Sequence, residues 1–161
     1  MRPRKERVTS WNYCQYLLVS QINYTLTNYA EHTEKFSHDM ANRYLVGKVI
    51  RPRLVWENLR DQAVPTPWGF MVFDDTVIDK NCSSRMELVR SQYSGNTHSI
   101  IKGIGVVTCV YVNPHRHQFW SIDYRIYDPS GDGKTKLDPV QDLLQNCVYQ
   151  KCIPRKYLIC G

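Results

Sequence analysis

The chain predicts a mixed fold, α+β or α/β, with a small helical N-terminal region ahead of a sheet domain of three strands, a helix and the start of a fourth strand. Three observations carry that expectation. Apolar residues recur at helical spacing in the first 60 residues, Ile- and Val-rich or alternating runs fill residues 99 to 127, and a run opened by Asp138-Pro139 separates these from a last apolar stretch, Tyr157-Leu158-Ile159-Cys160. With 161 residues the chain is long enough for one domain with a core plus a helical appendage. Pro65 and Pro67 read as the linker, so the expected division is 1–64 and 65–161.

In the first region Tyr13, Tyr16, Leu17 and Tyr24, widened by Leu18 and Ile22, predict a helix over residues 11 to 29. Ser37 is a good N-cap, and Met40, Tyr44 and Leu45 before Gly47 predict a short second helix. Leu54, Val55, Trp56 and Leu59 suggest a third. Basic residues cluster on and after the second helix: Arg43, then Lys48, Arg51 and Arg53. Two small helices with that charge have the size of a helix-turn-helix DNA reader, although packed amphipathic helices are more often plain scaffold.

The run from Gly69 to Phe73 predicts a buried strand that ends in the carboxylate pair Asp74-Asp75. Neighbouring residues on a strand point to opposite faces, so only one of the pair can serve a given site unless the strand ends between them. A carboxylate at the end of a buried strand needs a cation, a donor or a metal. Alternatively the pair merely opens a turn. Residues 80 to 90 read as a polar loop and Gln92 to Asn96 as a turn. Residues 99 to 112 read as a long strand, and 119 to 127 as a strand with alternating sides, its Asp123 facing away from the apolar positions. Asp128-Pro129-Ser130-Gly131-Asp132-Gly133 is a turn cluster without the spacing or closing Glu of a calcium loop. Val140, Leu143, Leu144, Cys147 and Val148 predict a helix from Pro139 to about Tyr149, broken by Pro154.

The formal net charge is +6, and ten Lys and Arg stand against five Asp and Glu within the first 60 residues. A basic excess confined to one region fits a polyanionic partner such as DNA. Six cysteines without a CxxC pair exclude the usual zinc motifs. The basic start lacks an apolar signal core, and no run approaches the roughly 20 apolar residues of a membrane span, so a cytoplasmic protein is expected, with no membrane partner.

Several segments in combination carry a family resemblance. FDDTVIDK from Phe73 to Lys80, Ser84-Arg85, QYSGNTH from Gln92 to His98, IKGIGVVTCVYVNP from Ile101 to Pro114 and FWSIDYRIYDPSGDGKTKLD from Phe119 to Asp138 resemble the N-terminal half of a bacterial insertion-sequence transposase of the DDE type. Ser37-His38-Asp39 and Arg43-Tyr44-Leu45 resemble the segment that such proteins carry ahead of the catalytic domain. The likeness covers most of the chain from about Tyr16 onward. It implies a ribonuclease H-like fold, whose opening is three strands, a helix and a further strand. It also implies cut-and-transfer chemistry on DNA by carboxylates holding two Mg2+ ions.

Carried over by position, the first catalytic and metal-holding carboxylate is Asp75, with Asp74 as second choice. The second belongs at the end of the strand after the helix, where this chain has Ile159-Cys160-Gly161, and the third is a Glu further on. One Asp cannot hold two hard cations, so the expectation is a truncated fragment, inactive alone and binding Mg2+ poorly. The implied partners are insertion-sequence DNA ends and a second copy or intact transposase. Lys80, Arg85, Arg90 and Lys102 join Arg43, Lys48, Arg51 and Arg53 as candidate DNA contacts. The alternative is a non-catalytic DNA-binding protein acting through its basic N-terminal region.

Overall fold

The computed structural model describes residues 7–20, 24–80, 86–128, 133, 135 and 137–161. The chain divides into two compact units, Met1–Ile50 and Arg51–Gly161. Among the described residues no helix is long and apolar enough to cross a membrane.

The first unit holds three helices, α1 (Ser10–Val19), α2 (Leu26–Thr33) and α3 (His38–Val46). The single long helix expected over residues 11 to 29 is two, because the chain carries two caps. Thr9 Oγ1 accepts from the Asn12 N–H while Asn12 Oδ1 accepts from the Thr9 N–H, which forms a capping box on α1. Thr25 caps α2 through the Asn28 N–H, and Ser37 caps α3 as expected. The core is aromatic: Tyr16, Tyr29, Phe36 and Ala41 are buried with Val8, and the Tyr16 and Tyr29 rings meet edge to face at 5.1 Å. Tyr16 donates to Asn28 Oδ1 at 2.7 Å. Tyr29 is fully buried, and its hydroxyl finds no hydrogen-bond partner among the described residues. Burial, more than the neighbouring Tyr13 and Tyr44, pushes its pKa up.

The second unit opens with α4 (Pro52–Leu59), which has Pro at its first position, and continues as a five-stranded sheet. Its strands are β1 (Phe70–Asp79), β2 (Arg90–Ser94), β3 (Ser99–Asn113), β4 (Gln118–Tyr127) and β5 (Tyr157–Cys160). The helix α5 (Leu137–Gln145) runs into a π-helical turn, Asn146–Gln150, ahead of β5. β1 pairs antiparallel with β3 from Phe70↔Val112 to Asp79↔Gly103, and parallel with β5 from Phe70↔Tyr157 to Phe73↔Cys160. Since Gly103 pairs with both Asp79 and Arg90, and Val107 with both Asp75 and Arg125, β2 and β4 lie end to end along the edge of β3 opposite β1.

One face of this sheet is covered. Odd-numbered residues of β1 and β3, among them Met71, Phe73, Val107, Cys109 and Tyr111, are buried with Ile122, Leu143, Cys147 and Ile153, and Trp56 and Trp120 pack against them. Each of the large apolar side chains withdrawn from water contributes about 1.5–3 kcal/mol. The even-numbered face of β3 is half-buried from Ile104 to Val112 and exposed at Ile100 and Lys102, the signature of a sheet face that no second layer covers among the described residues. Two glycines permit close approach: a Cβ on Gly69 would overlap the Tyr111 ring, and one on Gly103 would stand 2.5 Å from the Ile78 carbonyl oxygen. Tyr111 uses that room to bond the Thr66 backbone in both directions, donating at 2.9 Å and accepting at 2.7 Å.

Two further sequence expectations change. The strand carrying Asp74-Asp75 does not end there, because Thr76, Val77 and Ile78 are β-branched and extend the pairing to Asp79; neither Asp opens a turn. Gln92 to Ser94, expected as a turn, belong to β2, and the turn follows at 95–98. Within the second unit Trp56 packs α4 against the sheet core. Turn residues 129–132 and the candidate Arg85 lie outside the described residues.

Tyr29→Phe removes a buried hydroxyl without a partner, so it is expected to raise stability by about 1 kcal/mol. Urea denaturation of the two proteins measures this. Gly69→Ala is expected to destabilise by about 1–3 kcal/mol through overpacking against Tyr111, read by the same titration.

Candidate functional site

Asp75 and Asp74 part company on β1. Asp75 shares the face of Met71 and Phe73, one step beyond the part of β1 that β5 pairs, opposite the buried Val107. Its carboxylate is exposed at the border of the covered core. Asp74 lies on the other face, where its Oδ2 accepts from Thr76 Oγ1 at 3.3 Å. The chain end comes back beside it: the Gly161 N–H donates to the Phe73 carbonyl at 3.0 Å, and a Cβ on Gly161 would stand 3.2 Å from Asp74 Oδ1. Thus the strand after the helix delivers its last residues next to the carboxylate pair.

Among the described residues no three His, Cys, Asp or Glu side chains gather to hold a metal, and hard cations such as Mg2+ need several oxygen ligands.

The candidate DNA contacts are divided between the two units, Arg43 and Lys48 in the first and the other described ones in the second. Arg43 is exposed on α3 with its Nε donating to the Asp39 carbonyl, and Lys48 is exposed with its ammonium 4.9 Å from the Tyr44 ring centre. Arg51 caps the start of α4 through its backbone, and Arg53 pairs with Glu57 at 2.6 Å. Lys80, Arg90 and Lys102 do come together, at the sheet end where β1 stops and β2 starts; the Lys80 N–H donates to the Lys102 carbonyl. Of these Arg90 is engaged, gripping Asp128 at 3.2 and 3.3 Å through two nitrogens.

A cluster that the sequence did not reveal lies under α4 and α5. β4 carries a bulge: Cys109 pairs with Asp123 but Val110 with Ser121, leaving Ile122 as the extra residue. Ahead of the bulge Trp120 faces the core; beyond it the faces exchange, so Ile122 and Asp123 are both buried. Asp123 therefore occupies the inside, contrary to the alternation expected of it. Its Oδ1 accepts from Arg125 Nη1 at 2.6 Å and the Tyr124 N–H at 2.8 Å, and its Oδ2 from Lys151 Nζ. Lys151, its side chain only 6% exposed, also donates to Asn146 Oδ1 at 2.7 Å and lies 6.0 Å from the Trp56 ring centre.

Beside this network Cys109 and Cys147 face each other with sulfurs 3.8 Å apart. The hydrogen bond to Cys147, then burial, push the Cys109 thiol up, while the same bond pulls Cys147 down against its burial. A shallow polar pocket of about 390 Å³ opens next to it, lined by Arg125, Asp142, Gln145, Asn146, Tyr149 and Gln150. With both of its carboxylate oxygens engaged, Asp123 acts as a lock between β4 and the end of the π-helical turn.

Comparison with protein-family models, curated proteins and solved structures finds no match to this chain.

Asp123→Ala strands the buried Lys151 ammonium and is expected to cost about 3–5 kcal/mol. Asp75→Ala, at an exposed position, is expected to change stability by no more than about 0.5 kcal/mol. Equilibrium urea unfolding of both variants checks the contrast.

Proposed function

We propose that the second unit is the opening part of a ribonuclease H-like domain of a DDE-type transposase, with Asp75 as its first metal-directed carboxylate. One observation carries the reading: the strand order β4-β3-β1-β5, three antiparallel strands and then, across α5, a strand parallel to β1 that ends beside the Asp pair. The fold implied by the resemblance needs that order, and it sets the second carboxylate at the end of the strand after the helix. Of the two candidates, Asp75 suits the role better, because it borders the covered core, whereas Asp74 lies on the uncovered face beside Gly161. By themselves the described residues do not complete the ligand set, so the chain alone is proposed to bind DNA and leave it uncut.

A second reading, a DNA-binding protein that acts without catalysis, is favoured by the charge asymmetry and by exposed Arg43 and Lys48 on and just after α3. Both readings need phosphate contacts, whose affinity falls steeply with salt.

Two measurements test the proposal. Millimolar Mn2+, in place of Mg2+, is expected to broaden the backbone amide resonances around Asp75, an effect lost in Asp75→Asn and kept in Asp74→Asn. Broadening centred elsewhere overturns the metal role and leaves the second reading. Gel-shift titration with duplex DNA is expected to show affinity falling with salt; binding indifferent to salt, or none, overturns both.

A further inference from the structure

The uncovered face of the sheet carries an aromatic row that neither the covered core nor Asp75 uses. Phe70 pairs with Tyr157 on one side and with Val112 on the other, and Val112 pairs with Phe119. Residues opposite one another on neighbouring strands share a face, and Tyr111 and Trp120, one position away, occupy the covered face. Tyr157, Phe70, Val112 and Phe119 thus form a single line across four strands, roughly 14 Å long at the usual strand spacing.

These rings are not held by the core. Phe119 is 74% exposed and Tyr157 49%, and the Phe70 and Tyr157 rings stack at 5.4 Å. Trp68, 54% exposed, extends the line through Lys156, whose ammonium sits 3.9 Å from the Trp68 ring centre and 5.3 Å from that of Tyr157. Exposed apolar rings grouped with polar neighbours mark a surface built to be covered.

The charge around the row identifies what covers it. The segments that frame it, residues 64–70, 112–121 and 152–161, contain Arg116, Arg155 and Lys156 with His115 and His117, and neither Asp nor Glu. Arg116 and His115 are held in the β3–β4 turn by their N–H groups, which donate to Asn113 Oδ1 at 3.2 and 3.0 Å. Rings in line on an open sheet, framed by segments that carry cations and neither Asp nor Glu, suit a strand whose bases stack on the rings while its phosphates meet the cations. A duplex keeps its bases stacked on each other and offers no free base face to the row.

We propose that the line from Tyr157 to Phe119 is a stacking platform for two or three bases of single-stranded nucleic acid. It goes beyond the duplex contacts and the metal role of Asp75, and depends on neither.

Fluorescence anisotropy with the full chain tests it, using labelled oligothymidylate about twelve nucleotides long, the same length of oligouridylate, a base-free strand of equal charge, and a duplex. Oligothymidylate is expected to bind at least tenfold more tightly than the base-free strand and more tightly than the duplex. Phe119→Ala and Tyr157→Ala are each expected to weaken it roughly tenfold, whereas Phe119→Trp restores it. Oligouridylate binding equally supports stacking on RNA as well as DNA, and weaker binding supports DNA. Equal affinity for the base-free strand, preference for the duplex, or a Phe119→Ala variant that alters only self-association in sedimentation overturns the proposal. Retained Mn2+ broadening at Asp75 in that case separates its failure from failure of the metal reading.

Discussion

β3 is the constraint on which the second unit depends. β1, β2 and β4 all hydrogen-bond to it, and β5 reaches the sheet only through β1. Fifteen residues long, it is the one strand with length enough for β1 on one edge and for β2 and β4 end to end on the other. From Gly103 to Asn113 its alternation of buried odd and half-buried even residues then sets which face of β1 and β4 is covered. Gly103, where β1, β2 and β3 meet, has no Cβ because the Ile78 carbonyl of β1 fills that space.

The bulge in β4 is the one departure from that alternation, and it redirects a charge. By turning Asp123 inward it creates a buried anion, which Lys151 and Arg125 answer. Lys151 follows directly on the π-helical turn, so the pair fixes how α5 leads back toward β5. Such a buried pair adds little net stability over apolar packing but is costly to break, which makes it a device for register more than for strength.

Two faces of one sheet divide the proposed sites. Asp75 lies at the border of the helix-covered face, and the aromatic row on the bare one. The two sites are separated along β1 by the five residues from Phe70 to Asp75, roughly 16 Å of strand. The basic residues follow the same division. Lys80 and Lys102 stand at the end where β1 stops, and Arg116, Arg155 and Lys156 surround the other.

The sequence by itself determined four of the five strands and their order, the cap of α3 and the helix after Asp138, because each rests on local periodicity or a capping side chain; the short β2 read as a turn. The sequence also singled out Asp74 and Asp75, which face opposite ways by the pleat once the strand runs through both, and the structure supplied that continuation to Asp79. Only the tertiary structure decided which of them borders the core, because that depends on where α4 and α5 pack. It alone buried Asp123, since a bulge is a mismatch between two strands and has no signature within one. The row Tyr157, Phe70, Val112 and Phe119 was likewise invisible in the chain. Its members are brought into line by interstrand hydrogen bonds, whose register no single segment contains.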